Sequence, residues 1–318
     1  MYWECSTCIR FEDFPFTQAS TYTGLQGQLS KIEITQSRSD REAATLWRTW
    51  YFIVQEYSKH VLTKPSDKLP AISGVADWLL GTISKEEYLV GLLKHAIHDG
   101  LAWRVVASQD EQTAAPPTPM HYRAPSWSWA STDDPIEFVS FRGSPLRSGT
   151  DFSARQRRFV SLSQQNRVRV CDTYVKNLGH NPLGEITVAA IELEGKIKLG
   201  TFIRRTSSPF LWVRDAVSEE DTAVFDSDDA RRWSSNLPEE ITCLCIDYWE
   251  PRGGWVALAI EPLSPGAGFP RSGRPSVIPG PDKACKAYRR IGLVNCYGVE
   301  GSNFHWFKDC PWERLELY

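Results

Sequence analysis

Between residues 39 and 106 the apolar positions recur at intervals of three and four, the period of helices with one buried face. Leu46, Trp50, Ile53, Val54 and Tyr57 mark a first helix, with Ser39-Asp40 placed to cap it. A second follows Pro65-Ser66-Asp67 and carries Leu69, Ile72, Val75, Ala76 and Leu79 as its stripe. Pro70 falls in its first turn, where a missing N–H costs little. A third is predicted from Ser84, which stands three residues before Glu87 in the spacing of a capping box. It continues through Leu89, Leu92, Leu93, Ala96 and Ile97 to a left-handed stop at Gly100. Residues 1–38 show no such period: they open on Tyr2-Trp3 and drift into a polar stretch with no helix or hairpin of its own. The leading aromatics are expected to pack against something.

Ala114-Ala115-Pro116-Pro117-Thr118-Pro119 makes 107–120 a linker or loop. From 121 onward the pattern changes to that of strands, predicted at 167–175, 185–199, 241–248, 255–260, 287–296 and 314–318. Gly195 is expected to bend or bulge the second of these, and Gly253-Gly254 to separate two paired strands. Residues 226–230 and 264–281 are polar or Pro/Gly-rich excursions. With little helix between them, the strands favour an antiparallel sheet. The expected fold class is α+β, a small helical bundle followed by a mainly antiparallel β domain curled as a sandwich or barrel. The expected divisions are the remnant of an upstream domain with its connector at 1–38, a helical region at 39–106, the linker at 107–120 and a β-rich domain at 121–318.

Composition narrows the class. With 318 residues and 42% hydrophobic content the chain can fill a core. A net charge of −3 offers no long-range attraction to nucleic acid or to an anionic membrane, so neither is an expected partner. No apolar run approaches the roughly 18 residues of a membrane span. No secretory leader is visible, so a cytoplasmic location with reduced thiols is expected. Cys243 and Cys245, two apart on a predicted strand, should face one side of the sheet as small apolar groups. Thirteen tryptophans spread along the chain argue for repeated core anchoring rather than one aromatic platform.

Candidate chemistry is sparse. Trp127-Ser128-Trp129 has the spacing that puts both indoles on one strand face and Ser126 and Ser128 on the other. That reading makes the indoles core anchors or one wall of a groove between the helical and β regions. Trp127, Trp129, Arg123 and Asp67 are the candidate contact residues of such a groove. Cys5-Ser6-Thr7-Cys8 has half the spacing of a zinc site and lacks a second half. His95 and His98 are better explained by packing and exposure than as metal ligands. Asp226, Asp228 and Asp229 lack the glycine and terminal Glu of a calcium loop. Gly266-Ala267-Gly268 lies in a proline-rich loop, away from any strand-to-helix turn that would cradle phosphate. Glu192 and Glu194 share one strand face, where paired catalytic carboxylates would oppose each other across a cleft. The sequence contains no G-x-S-x-G elbow. No metal, cofactor or catalytic constellation is expected.

Several ordered segments carry a family resemblance. They are Trp50-Tyr51-Phe52-Ile53-Val54-Gln55-Glu56-Tyr57-Ser58, Asp67-Lys68-Leu69-Pro70-Ala71-Ile72, Tyr88-Leu89-Val90-Gly91-Leu92 and Leu101-Ala102-Trp103. Ala124-Pro125-Ser126-Trp127-Ser128-Trp129-Ala130-Ser131 and Tyr288-Arg289-Arg290-Ile291-Gly292 complete the series. In order and spacing the chain resembles the region that follows the HET domain in fungal heterokaryon-incompatibility proteins. Tyr2-Trp3-Glu4-Cys5 is similar to the last residues of that domain, whose own marker segments are not present. The resemblance implies a non-catalytic scaffold or regulatory portion of a non-self-recognition, cell-death protein, with a protein partner. It further implies a truncated gene model or a shortened paralogue. HET domains are related to TIR-type folds, some of which cleave NAD; any such chemistry would belong to the domain itself.

Overall fold

The computed structural model describes residues 2–4, 9–11, 40–82, 87–106, 122–139, 167–204, 211–214, 221–225, 240–248, 254–263, 286–297 and 306–318. Its architecture is α+β, with three helices among the described residues and a mostly antiparallel sheet-rich region. No helix among them is long and apolar enough to cross a membrane.

Helix α1 (Asp40–Ser58) turns Leu46, Trp50, Ile53 and Val54 inward, as their spacing predicts. The second helix starts later than expected. Two 3-10 turns, Pro65–Lys68 and Pro70–Ile72, precede α2 (Ser73–Thr82), each opened by a proline that needs no N–H partner. Leu69, Ile72, Ala76 and Leu79 are buried, but Val75 lies on the outer face, 37% exposed.

The third predicted helix is overturned from Tyr88 on, while its expected start at Ser84 lies outside the described residues. Strands β3 (Tyr88–Leu89) and β4 (Leu92–Leu93) form a tight hairpin, followed by a 3-10 turn at Lys94–Ala96 and a short helix α3 (Ile97–Leu101). The turn residues Val90 and Gly91 have φ of 48° and 90°, the left-handed pair that a two-residue hairpin turn requires. Leu89 pairs directly across the ladder with Leu92, so a spacing of three arises here from a hairpin rather than a helical turn. The N-terminus departs from expectation too: β1 (Tyr2–Glu4) pairs antiparallel with β2 (Ile9–Phe11), a ladder too short for periodicity to show. Strand β5 (Trp103–Val105) pairs with β6 (Ile136–Phe138), a ladder that spans the proline-rich stretch in sequence.

The large sheet has eight strands: β7 (Arg169–Asn177), β8 (Ile186–Arg204), β9 (Leu211–Arg214), β10 (Asp221–Phe225), β11 (Glu240–Tyr248), β12 (Gly254–Pro262), β13 (Lys286–Tyr297) and β14 (Trp312–Leu317). All six predicted strands are present. Strands β9 and β10 were not predicted, being only four and five residues long. The 19-residue β8 pairs antiparallel with β7, β14, β11 and β9 along its length. Ladders run from β8 through β11, β12 and β13 to β14, which returns to β8; β13–β14 is the one parallel pairing among the described strands.

The three strands β11, β12 and β13 are buried on both faces. Cys243 and Cys245 share one cluster with Trp255, Ala257, Ala259, Trp306 and Phe307, as their two-residue spacing predicts. Leu244, Ile246, Val256, Leu258, Ile260 and Leu293 point the other way, into the cluster that contains the helices. Cys171, Cys243, Cys245 and Cys310 are free thiols, with Cys171 exposed.

Gly195 neither bulges nor slips, since it stays in register with Glu313 of β14. The irregularities adjoining β8 lie instead at Val170/Asp172 and Lys176/Asn177 of the β7 ladder. Gly195 is needed for closeness: a Cβ there would stand 2.7 Å from Leu244 Cδ1 and 3.3 Å from Val168 Cγ2. Leu244 is fully buried. Gly195→Ala is therefore expected to destabilise the fold by about 1–3 kcal/mol. Urea unfolding checks this, and an unchanged midpoint would show that the approach of β8 to β11 is looser than described.

Candidate functional site

The residues singled out from the sequence lie in and around segment 122–139. Trp127-Ser128-Trp129 is not a strand. The Ser128 N–H donates to the Pro125 carbonyl at 2.9 Å, closing a turn, and Trp129–Ser131 is a 3-10 helix. Ser128 caps that helix, its hydroxyl accepting the Ala130 N–H at 3.1 Å. A serine able to cap beside a proline-led turn outweighs the two-residue spacing of the indoles. The two rings consequently part. Trp127 Nε1 donates to the Leu317 carbonyl of β14 at 3.1 Å, whereas Trp129 Nε1 donates to the Gly91 carbonyl at 3.0 Å. Both indoles are buried in the main core, with exposures of 1% and 0%.

Around Trp129 the polar groups converge. Trp50 Nε1 donates to the same Gly91 carbonyl at 2.9 Å, and the Ser128 hydroxyl donates to the neighbouring Val90 carbonyl at 2.6 Å. Tyr57 meets the Trp129 ring edge-on at 6.0 Å between centroids, and its hydroxyl donates to the Lys68 carbonyl at 3.0 Å. Lys68 Nζ lies 5.8 Å from the centroid of the Trp129 ring and donates to the Thr132 carbonyl. Arg123 spreads its guanidinium over three acceptors: Nε to the Ala130 carbonyl at 2.7 Å, and Nη1 to the Pro65 carbonyl at 3.1 Å and Asp133 Oδ1 at 2.6 Å. Asp67 sits in the 3-10 turn at Pro65–Lys68, where its N–H donates to the Lys64 carbonyl and its carboxylate accepts from Ser66 Oγ at 3.4 Å.

Of the four candidates, then, Arg123, Trp129 and Asp67 gather at the Lys68 turn, while Trp127 reaches toward the C-terminal strand. Lys68 and Tyr57 were missed as site residues. A buried lysine leaves no mark in a pattern that reads lysine as exposed. On the far side of Trp127, its carbonyl accepts the Trp103 Nε1–H at 3.0 Å. Arg290 stacks on Trp103, 3.4 Å from the ring centroid, and also donates to the Trp103 carbonyl. Its backbone N–H donates to Ser126 Oγ at 2.8 Å, and Ser126 Oγ donates onward to the Tyr318 carbonyl. Arg290 was legible in principle, since alternation in β13 sends Arg289 and Arg290 to opposite faces. Arg289 is the outward one, paired with Glu261 at 2.7 Å.

Comparison with known protein families, with curated proteins and with solved structures finds no match.

The cations at this site serve backbone carbonyls. Such groups hold a loop in place with charge-assisted hydrogen bonds. Lys68 carries a penalty for it: burial, reinforced by the Arg123 cation, pushes its ammonium pKa down to about 8. Elsewhere, His95 is exposed in the turn before α3, and His98 on α3 stands 3.4 Å from Asp99. Among the described residues no cluster of three or more His, Cys, Asp or Glu side chains is placed to hold a metal. Glu192 and Glu194 share one sheet face with Arg314, at 3.8 and 3.5 Å. Cys5, Cys8, the aspartates at 226–229 and the glycines at 266 and 268 lie outside the described residues.

Two outcomes are expected. Gly91→Ala would drive a Cβ into the Trp129 indole, already 2.9 Å away at Cε2, from a backbone with φ of 90°. A loss of about 3 kcal/mol or more is expected in chemical denaturation. A loss below about 1 kcal/mol would mean that the turn is not fixed by the indoles. The second concerns pH. Unfolded, Lys68 titrates at its ordinary 10.5, so between about 8 and 10.5 the unfolded chain binds a proton that the folded chain releases. Stability gained from this group is therefore complete above 10.5 and lost as pH falls through about 8. Unfolding free energy should rise with pH from about 8 to 9.5, with a slope of at most about 1.4 kcal/mol per pH unit. Lys68→Met should lack that component; identical slopes in the two proteins would contradict the assignment.

Proposed function

We propose that this chain is a non-catalytic scaffold or regulatory portion of a fungal heterokaryon-incompatibility protein, acting in the cytoplasm on a protein partner in non-self recognition and programmed cell death. The observation that supports this reading is convergence. The segments that carry the resemblance are far apart in sequence, yet hydrogen bonds join them into one node: Trp50 of α1, the Val90-Gly91 turn, Trp103, Ser126 to Trp129, and Arg290 of β13. A signature whose members meet in this way is one that specifies a fold. The indole N–H groups of Trp50, Trp103, Trp127 and Trp129 all donate to backbone carbonyls, which favours scaffolding over chemistry at those positions. The finer architecture we infer is a small helical layer against a barrel-like sheet, supported by the return of the ladder path to β8.

The test is expression of this chain in a filamentous fungus alongside a resident HET-domain protein, with dying hyphal compartments counted by vital dye. The chain should change the count relative to the host alone, and Gly91→Ala should return it to the host level. A count untouched by the wild-type chain, or NAD turnover by the purified protein, would overturn the proposal.

A further inference from the structure

The edge of β7 offers an interaction surface. Every other strand of the large sheet has ladder partners on both sides, whereas β7 pairs among the described residues only with β8. Nine residues of strand thus present one edge outward, with Arg169, Cys171, Asp172 and Lys176 exposed.

The phase of that edge can be read from its neighbour. Ala189 of β8 donates its N–H to the Tyr122 hydroxyl at 3.0 Å, on the side away from β7. Ala189 stands opposite Val175, and in an antiparallel ladder opposed residues exchange either both backbone bonds or neither. The backbone groups of Val175 therefore turn outward. By alternation those of Thr173 do so too. Consistent with this, the Thr173 N–H is met by its neighbour's side chain, Asp172 Oδ1, at 2.8 Å rather than by β8.

We propose that β7 docks antiparallel on β7 of a second copy of this chain, about a twofold axis at Tyr174, joining the two sheets. Two independent features select that register. It sets the outward backbone groups of Thr173 against those of Val175 in the second copy, the condition for a new pair of ladder bonds. It also sets Asp172 against Lys176 of the second copy, and by symmetry does so twice, in the closely spaced non-hydrogen-bonded positions where opposite charges interact best. Moving the axis onto Thr173 would instead oppose Asp172 to Tyr174 and Lys176 to Val170, so that neither charge faces its opposite across the axis. On docking, the Asp172 carboxylate leaves the Thr173 N–H for the ammonium across the axis, and the freed N–H enters the new ladder. An isologous contact of this kind closes after two copies, so it yields a dimer rather than a fibre.

Sedimentation of the purified full chain at increasing concentration tests the proposal. Wild-type protein should populate a dimer by roughly 100 µM. Asp172→Lys and Lys176→Asp should each weaken association by about tenfold or more, through like charges opposed across the axis. The double variant carrying both changes should regain it. Both residues are exposed, and thermal melting of each variant confirms that the fold is kept. A chain that stays monomeric at that concentration would overturn the proposal. So would a dimer indifferent to the single reversals, or single losses that the double variant fails to restore.

Discussion

The carbonyl oxygen of Gly91 receives the indole N–H of Trp50 at 2.9 Å and that of Trp129 at 3.0 Å, and much of the fold depends on this shared acceptor. A carbonyl has two lone pairs, so it can hold two donors at once. It can do so here because residue 91, which carries it, has no side chain to obstruct the second indole. The Trp129 ring occupies the space that a Cβ of residue 91 would fill. Helix α1, the β3–β4 hairpin and segment 124–131 are thereby tied through one backbone atom. A buried indole left without an acceptor would cost on the order of 1–3 kcal/mol, so the geometry of the turn and the placement of both tryptophans constrain each other.

The tie extends to the sheet through Trp103 and Arg290. An arginine buried to 2% exposure is tolerable only if its charge is met, and here it is met by the face of Trp103 and by the carbonyl of the same residue. Lys68 and Arg123 act similarly at the other end of the segment. There the cost of burial shows in the lowered lysine pKa. The two kinds of cation differ in chemistry for a physical reason. A flat guanidinium can stack on an indole and donate sideways, whereas an ammonium behaves as a point charge that must find oxygen. Segment 124–131 is thus held by the Arg290 backbone N–H at Ser126, by the Arg123 guanidinium at Ala130 and by indoles in the middle. Each indole delivers a large apolar surface to the core together with one directional bond.

The strands were legible because their runs are long and their side chains alternate or stay continuously apolar. Trp255 to Ile260 is apolar at every position, and the structure shows why: alternate residues enter two different cores. The helical half was legible where a stripe persisted over several turns, as in α1. It failed between 88 and 96. Leucines three apart satisfy a helical template, but in a hairpin with a two-residue turn the same spacing places them opposite each other. The signal that separates the readings is the Val90-Gly91 pair, and a single glycine within an apolar run is weak evidence. The Trp127-Ser128-Trp129 spacing misled for a related reason. Period two implies a strand only where the backbone has no better local use for its serines. Lys68 was illegible altogether, because its burial follows from what Arg123, Tyr57 and Thr132 do around it and from nothing in its own neighbourhood.

Strand β8 carries a second constraint, which concerns length. A strand of 19 residues is too long for one neighbour of ordinary length on each side, so it exchanges partners along its course. The change from β7 to β11 falls between Glu194 and Ile197, around Gly195, where Val168 leaves β8 and donates its N–H to the Ile246 carbonyl of β11. A side chain at 195 would hold β11 off, since Leu244 fills that space. The glycine is therefore required where two strands share one edge, rather than at a kink. The same exchange leaves β7 as a flange beyond the closed path of ladders. Pairing that closes on itself removes sheet edges, so the strand outside the closure must be shielded by its own charges or by a partner. In β7 the Asp172 side chain already covers one outward N–H, and Lys176 stands four residues on with the opposite charge. A strand bearing opposite charges at that spacing discourages arbitrary partners while remaining complementary to itself, and in this way the partner exchange along β8 shapes the surface from which association would begin.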